Sequence, residues 1–165
     1  LDSDGKLQIY IEGKITTKNK RNNDDDHFTA EVTVTSLDNM ELTGVRKLET
    51  IGDFTTAKLK VYLSGASKML VGGDFLVKEK PDIKLSGTSN LSLKGNTTHC
   101  KMEVSGDSKA NLEDFPINEL KAEVSGAAKA TYSGDPIILS LHSSGASNIN
   151  KITSKSQEDR KEYEK

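Results

Sequence analysis

Along most of the chain, apolar and polar residues alternate in short runs that recur about every 20 residues. Each run ends at a Ser-Gly pair, or at Thr43-Gly44 in the first copy. Apolar residues stand one and three positions before the pair and, from the second copy on, five positions before it, with Ser143 as the exception. Alternation with a period of two predicts a strand with one buried face. The residues predicted to face inward one position before the pair are Leu42, Leu63, Leu85, Val104, Val124 and Ser143. Three positions before it they are Met40, Val61, Ile83, Met102, Ala122 and Leu141. Five positions before it they are Leu59, Pro81, Cys100, Leu120 and Leu139.

A second alternating run follows each pair, with inward residues such as Met69 and Val71 at five and seven positions after the Ser. Gly or Asp usually stands nine positions after it and predicts a second turn. Two short strands cannot bury their apolar face alone, but stacking coil on coil buries it. The chain is therefore predicted to be all-β, a right-handed parallel β-helix, a solenoid of about six coils of ~20 residues.

The Ser-Gly pairs are predicted to be a structural repeat at the first turn of each coil. Glycine supplies backbone angles that other residues disfavour, and the serine hydroxyls are expected to hydrogen-bond along the stack. Five equivalent serines also do not suit a nucleophile, which needs one copy beside a base. The pairs are Ser64-Gly65, Ser86-Gly87, Ser105-Gly106, Ser125-Gly126 and Ser144-Gly145.

The two ends of the chain lack the repeat. Segments 6–16 and 28–35 alternate like strands around a polar loop, which predicts an N-terminal antiparallel hairpin within a cap formed by residues 1–42. Residues 43–152 carry the repeats, so 1–152 is expected to be a single solenoid domain. Residues 153–165 read as a charged C-terminal tail.

Composition narrows the function only slightly. The 165 residues are 33% hydrophobic and 5% aromatic, with a formal net charge of −2, so nothing indicates a nucleic-acid footprint. Cys100 stands alone and cannot form an internal disulfide; at an inward position it is expected to be a core residue.

No apolar run is long enough to span a membrane. No signal peptide is visible, but a chain starting at Leu1 is expected to be mature or trimmed, which leaves export open.

The outward residues of the strand before each turn form rows across neighbouring coils. The row two positions before the Ser is the candidate binding face, and the row four positions before it is Lys60, Asp82, Lys101, Lys121 and Ser140. Opposite charges such as Lys84 and Glu103 should lie side by side and stabilise the sheet modestly. The candidate binding residues are Tyr62, Lys84, Glu103, Glu123 and His142.

Catalytic alternatives have weaker support. Stacking would place Glu103 and Glu123 about 5 Å apart, near the separation that retaining glycosidases use, but coil spacing alone produces this. A lyase would need clustered carboxylates for Ca²⁺ and a basic residue. The run Asp24-Asp25-Asp26-His27 lacks the spacing of a Ca²⁺ loop. We expect no catalytic residue, no metal site and no cofactor.

Several repeats resemble the head-GIN auto-transporter adhesin family of Bacteroides-type bacteria. The residues that carry the resemblance lie within about 5–152, and the chain departs from the family pattern at Asp107 and Ser143. They are Leu63-Ser64-Gly65-Ala66-Ser67-Lys68, Leu85-Ser86-Gly87-Thr88-Ser89, Val124-Ser125-Gly126-Ala127-Ala128-Lys129, Tyr132-Ser133-Gly134-Asp135-Pro136 and Ser144-Gly145-Ala146-Ser147.

The resemblance implies a β-helical body in the cell envelope, on the cell surface or secreted, with no established enzyme activity. The first hypothesis is a non-catalytic binding module whose partner is a glycan or an envelope or matrix protein, with no nucleic acid involved. The alternative is a polysaccharide-acting lyase or hydrolase. A purely structural head that assembles coil to coil is a third possibility, and the sequence does not indicate an oligomeric state.

Overall fold

The computed structural model describes residues 37–152, which all lie in the second of two units, 1–34 and 35–165, into which the chain divides. This part of the chain contains strands and turns and no helix. The strands are β1 (Asn39–Leu42), β2 (Lys47–Thr50), β3 (Phe54–Thr56), β4 (Lys60–Leu63), β5 (Lys68–Val71), β6 (Phe75–Val77), β7 (Asp82–Leu85), β8 (Asn90–Val104), β9 (Lys109–Asp114), β10 (Ile117–Val124), β11 (Lys129–Ser133), β12 (Ile137–Ser143) and β13 (Asn148–Ile152).

Every strand pairing among these residues is parallel and joins one coil to the next. The parallel β-solenoid of about six turns predicted from the sequence is therefore confirmed. Its right-handed winding stays a prediction. The predicted hairpin over 6–35 and the charged tail over 153–165 lie outside the described residues.

Each inner coil has three strand-forming sides. The pre-turn side holds the strands that end at the Ser-Gly corner, such as β4 and β7, and the post-turn side holds those that follow it, such as β5 and β9. The return side consists of very short segments, because β3 pairs with β6 and β6 with the middle of β8. In β8, one continuous strand of 15 residues passes through all three sides.

The core is a narrow column filled by the inward residues of successive coils. Val61, Ile83, Met102 and Ala122 stack in direct register and are fully buried. Cys100 is buried as predicted, and burial raises the pKa of its thiol to about 12. A thiol with this pKa stays protonated at neutral pH, so it behaves as an apolar packing group.

Hydrogen bonding at the Ser-Gly corner differs from the expected ladder of first-position serines. The buried hydroxyl belongs to the fourth residue of the motif: Ser67 and Ser89 are buried and donate to the carbonyl oxygens of Ser64 and Ser86, both at 2.8 Å. Among the first-position serines, Ser105 donates across the stack, to the Leu85 carbonyl at 3.2 Å. The fourth hydroxyl closes the turn of its own coil, and in Ser67 and Ser108 it also donates to a glycine carbonyl of the preceding coil, at 3.1 and 3.2 Å.

The last coil departs from the predicted burial. Leu139 and Leu141 were expected to face the core, but they are 55% and 41% exposed, and Ile137 is 66% exposed. Leu120 pairs with Ile138 and Lys121 with Ser140, so Leu139 falls in a bulge without a register partner. Within the described residues, β12 has a coil on one side only, and its inward side chains have no further layer above them.

Candidate functional site

A shallow groove of about 480 Å³ runs along the pre-turn side, parallel to the stacking direction. It lies between the first-position serines at the corner and the outward residues two positions before them. All five candidate binding residues line it, and the structure adds Glu41 from β1 at its start. We call this surface the pre-turn groove; its outward row is Glu41, Tyr62, Lys84, Glu103, Glu123 and His142.

The register of the strands fixes the length of this row. Each member pairs directly with the next, from Glu41 opposite Tyr62 to Glu123 opposite His142. Parallel strands lie about 4.8 Å apart, so the six residues span about 24 Å. The groove is thus long, narrow and open, which suits an extended polymer better than a compact small molecule.

Charges of both signs are paired within the groove. Glu103 accepts from Lys101 Nζ at 2.5 Å and from Lys84 Nζ at 3.1 Å. These two lysines, Lys101 first, hold the pKa of the Glu103 carboxyl below its usual value, and the same contact raises the pKa of Lys101. The next coil repeats the arrangement less tightly, with Lys121 at 3.4 Å from Glu123.

Tyr62 is the aromatic side chain of the groove. Its hydroxyl donates to Asp82 Oδ2 at 3.2 Å, which fixes the phenol against the neighbouring coil. Partial burial, followed by the negative charge of Asp82, raises the pKa of the Tyr62 hydroxyl. The phenol therefore stays neutral and lines the groove with a ring and a hydroxyl group.

Glu103 and Glu123 are direct register partners, as the sequence predicted. A glycosidase acid requires a carboxyl whose pKa is raised, so that it still carries a proton near neutral pH. The two lysines shift the pKa of Glu103 in the opposite direction. This electrostatic setting favours an ion-pair role for Glu103 over a proton-donor role.

No group of three or more His, Cys, Asp or Glu side chains is arranged to hold a metal ion within residues 37–152. The run Asp24–His27 considered above lies outside these residues. Tyr132 stands seven positions after Ser125, which is an inward position of the repeat, and it is buried, so its ring is not available for stacking on a ligand.

The parallel β-solenoid over residues 37–152 places the chain among the β-repeat proteins, a fold that fits a binding module. A comparison with protein families supplies a more specific placement. The family described as "Putative auto-transporter adhesin, head GIN domain" matches residues 2–152, and the chain belongs to this family. Neither the search of curated proteins nor the search of solved structures finds a match.

The stretch from 37 to 152 includes no helix with the length and apolar character needed to cross a bilayer.

Proposed function

We propose that this chain is the non-catalytic binding head of an extracytoplasmic adhesin and that the pre-turn groove holds a glycan. The family description supports an extracytoplasmic setting, in the cell envelope, on the cell surface or secreted. The observation that carries the proposal is the continuous groove, which brings six register-matched side chains from six coils to one surface.

The chemistry of the groove indicates the kind of ligand. Its central charges, Lys84, Glu103 and Glu123, are in ion pairs, so this part of the groove offers hydrogen-bond donors and acceptors rather than a strong field of one sign. Serine hydroxyls line one wall and the Tyr62 ring lies on the other. Hydroxyls, amphipathic aromatic rings and paired charges suit the hydroxyl-rich edges of a neutral or zwitterionic glycan.

The test measures retention of the purified chain on a panel of immobilised host and plant polysaccharides, with and without Ca²⁺. The groove variant is Lys84→Ala with Glu103→Ala, which removes one charge of each sign. The matched control is Lys58→Ala with Glu79→Ala, an exposed ion pair outside the groove at 3.6 Å. We expect the groove variant to bind the retained glycan about tenfold more weakly and the control to bind normally.

Equal retention of both variants would remove the groove from the proposal, and absence of retention on every glycan would redirect the search to envelope or matrix proteins. Release of shortened glycan from the column would contradict a non-catalytic head. In that case, Glu103→Gln would show whether turnover depends on this carboxyl.

A further inference from the structure

A second row of register-matched side chains lies on the post-turn side, across the Ser-Gly corner from the pre-turn groove. Its members occupy the first position of each post-turn strand, and all are exposed. We call this row the lysine ladder; it consists of Lys47, Lys68, Asn90, Lys109, Lys129 and Asn148. At about 4.8 Å per step, the ladder is about 24 Å long.

The ladder places like charges opposite each other. Lys47 pairs in register with Lys68, and Lys109 pairs with Lys129. Like charges directly opposite on neighbouring strands destabilise a sheet. Facing each other, these lysines do not stabilise the fold. A binding partner outside the chain would explain why they occupy these positions.

Three of the four lysines also lack a neutralising partner in the described part of the chain. Lys47 lies 3.1 Å from Glu49. Within residues 37–152 no carboxylate oxygen lies within 4.0 Å of Nζ of Lys68, Lys109 or Lys129. The outward residues that follow them on their strands are uncharged: Leu70, Asn111 and Thr131.

The pre-turn side shows that the same scaffold can compensate such charges. Lys101 faces Lys121 and Glu103 faces Glu123, yet each strand carries its own Lys–Glu pair at 2.5 or 3.4 Å. The two sides of the corner therefore differ in their charge. On the pre-turn side lysines and glutamates form ion pairs, whereas the post-turn side carries a row of lysines. Within each facing pair, Lys47 with Lys68 and Lys109 with Lys129, the coil spacing of about 4.8 Å is shorter than the Debye length at physiological salt, so the fields of the two lysines add. Asn90 separates the two pairs by two coil steps, about 9.6 Å.

We propose that the lysine ladder binds a linear acidic polysaccharide, whose carboxylate or sulfate groups lie against the lysine ammonium groups. The row beside the ladder begins with Glu49, which pairs with Lys47, and Leu70. Its remaining four members are neutral polar side chains that can hydrogen-bond sugar hydroxyls: Ser92, Asn111, Thr131 and Asn150. Neither row contains an aromatic residue, whereas single-stranded nucleic acids are held largely by base stacking on aromatic rings. The straight row also matches an extended polymer. This surface is separate from the pre-turn groove and does not depend on the function proposed for it.

The experiment measures affinity of the full chain for polygalacturonate, which carries carboxylates, and for heparin, which also carries sulfates. Neutral dextran and a single-stranded DNA oligonucleotide serve as reference ligands. The ladder variant is Lys68→Gln with Lys109→Gln and Lys129→Gln. The control variant makes the same charge change at three exposed lysines outside the ladder, Lys58→Gln, Lys78→Gln and Lys80→Gln.

We expect the native chain to bind at least one acidic polysaccharide and not dextran, with an affinity that falls as salt rises. Each exposed ion pair contributes a few-fold, so the ladder variant should bind about tenfold more weakly while the control keeps most of the affinity. The preferred polymer distinguishes carboxylate from sulfate recognition. A triple lysine-to-arginine variant at the ladder positions should retain binding, which separates a charge effect from a packing effect.

Several results would overturn the proposal. Equal losses in the ladder and control variants would show that only total charge matters. DNA bound as tightly as either polysaccharide would assign the ladder to nucleic acids instead. Loss of acidic-polysaccharide binding in the groove variant Lys84→Ala with Glu103→Ala, but not in the ladder variant, would move the site to the groove.

Thermal unfolding should show the ladder variant at least as stable as the native chain, because its substitutions remove facing positive charges.

Discussion

Individual glycines determine whether the coils can approach each other at the Ser-Gly corner. Gly87 has a φ of 74°, and a Cβ built there would lie 2.4 Å from the carbonyl oxygen of Gly65 in the preceding coil. Gly44, at the equivalent corner of the first described coil, has a φ of 77°, and no atom of residues 37–152 lies within 4 Å of such a Cβ. The two residues share a backbone conformation and differ in crowding.

This pair provides a matched test of corner packing. Gly44→Ala should lower the free energy of unfolding by about 1–2 kcal/mol, the cost of a left-handed non-glycine residue. Gly87→Ala adds a clash with rigid backbone, so it should cost about 3 kcal/mol or more. Urea unfolding followed by circular dichroism would measure both. Equal losses would mean that the coils separate easily at the corner.

For single residues, the sequence predicted well which strand positions face inward and which face outward. It predicted poorly which side chains of the Ser-Gly turn are buried. Inward Ile83 and outward Lys84 follow directly from alternation, because a strand has a strict period of two. Inside a turn that period is lost, so alternation could not show that Ser67 would be buried and Ser64 partly exposed. The buried hydroxyl depends on turn geometry, which the apolar pattern does not encode.

Among the elements, burial depends on the neighbouring coil as much as on the strand itself. Ile83 in β7 and Leu141 in β12 occupy the same position before their corners, yet Ile83 is fully buried and Leu141 is 41% exposed. β7 lies between β4 and β8, whereas β12 pairs with β10 alone in the described part of the chain. The inward residue at this position therefore contributes more to the stability of the fold in β7 than in β12.

Truncation at these two positions should separate the effects. Ile83→Ala removes a buried side chain from a packed column and should cost about 2–5 kcal/mol of stability. Leu141→Ala removes a side chain that is already partly hydrated, and should cost less than about 1 kcal/mol. Chemical denaturation of both variants provides the comparison. A loss at Leu141 as large as at Ile83 would show that the last coil is packed in solution.

The elements also show where prediction from sequence stops. The strands on either side of each corner were predicted, because each has alternating apolar residues. The return strands β3 and β6 are three residues long, too short to show a period. Glu41, the first residue of the groove row, was not predicted. The row was counted back from the serine of each Ser-Gly pair, and the first repeat has Thr43-Gly44 instead. The lysine ladder was missed because outward residues were counted backward from the serine, whereas the ladder stands four positions after it.

For the molecule as a whole, stability is carried by contacts between adjacent coils. Cys100 lies in an inner coil, paired in register with Leu120 of the next, and is 1% exposed. Its thiol is both inaccessible and protonated at mild pH, since its pKa is raised to about 12. It can react when the inner coils separate.

A thiol reagent such as DTNB at pH 8 should therefore modify the native chain at least ~100-fold more slowly than the chain in strong urea. The control combines Cys100→Ala with Thr98→Cys, because Thr98 is exposed and nearby. That variant should react quickly without denaturant. Rapid labelling of Cys100 in the native chain would indicate frequent opening of the inner coils.

The in-register stacking has a consequence for how such a protein can change over time. Both surfaces take one residue from each coil, so neighbours in space stand about 20 positions apart in the chain. Duplicating one complete repeat would extend the groove and the ladder together by about 4.8 Å, without a new fold. The reach of the surfaces is thus adjustable by gene duplication, while their chemistry is adjustable one coil at a time by point substitution.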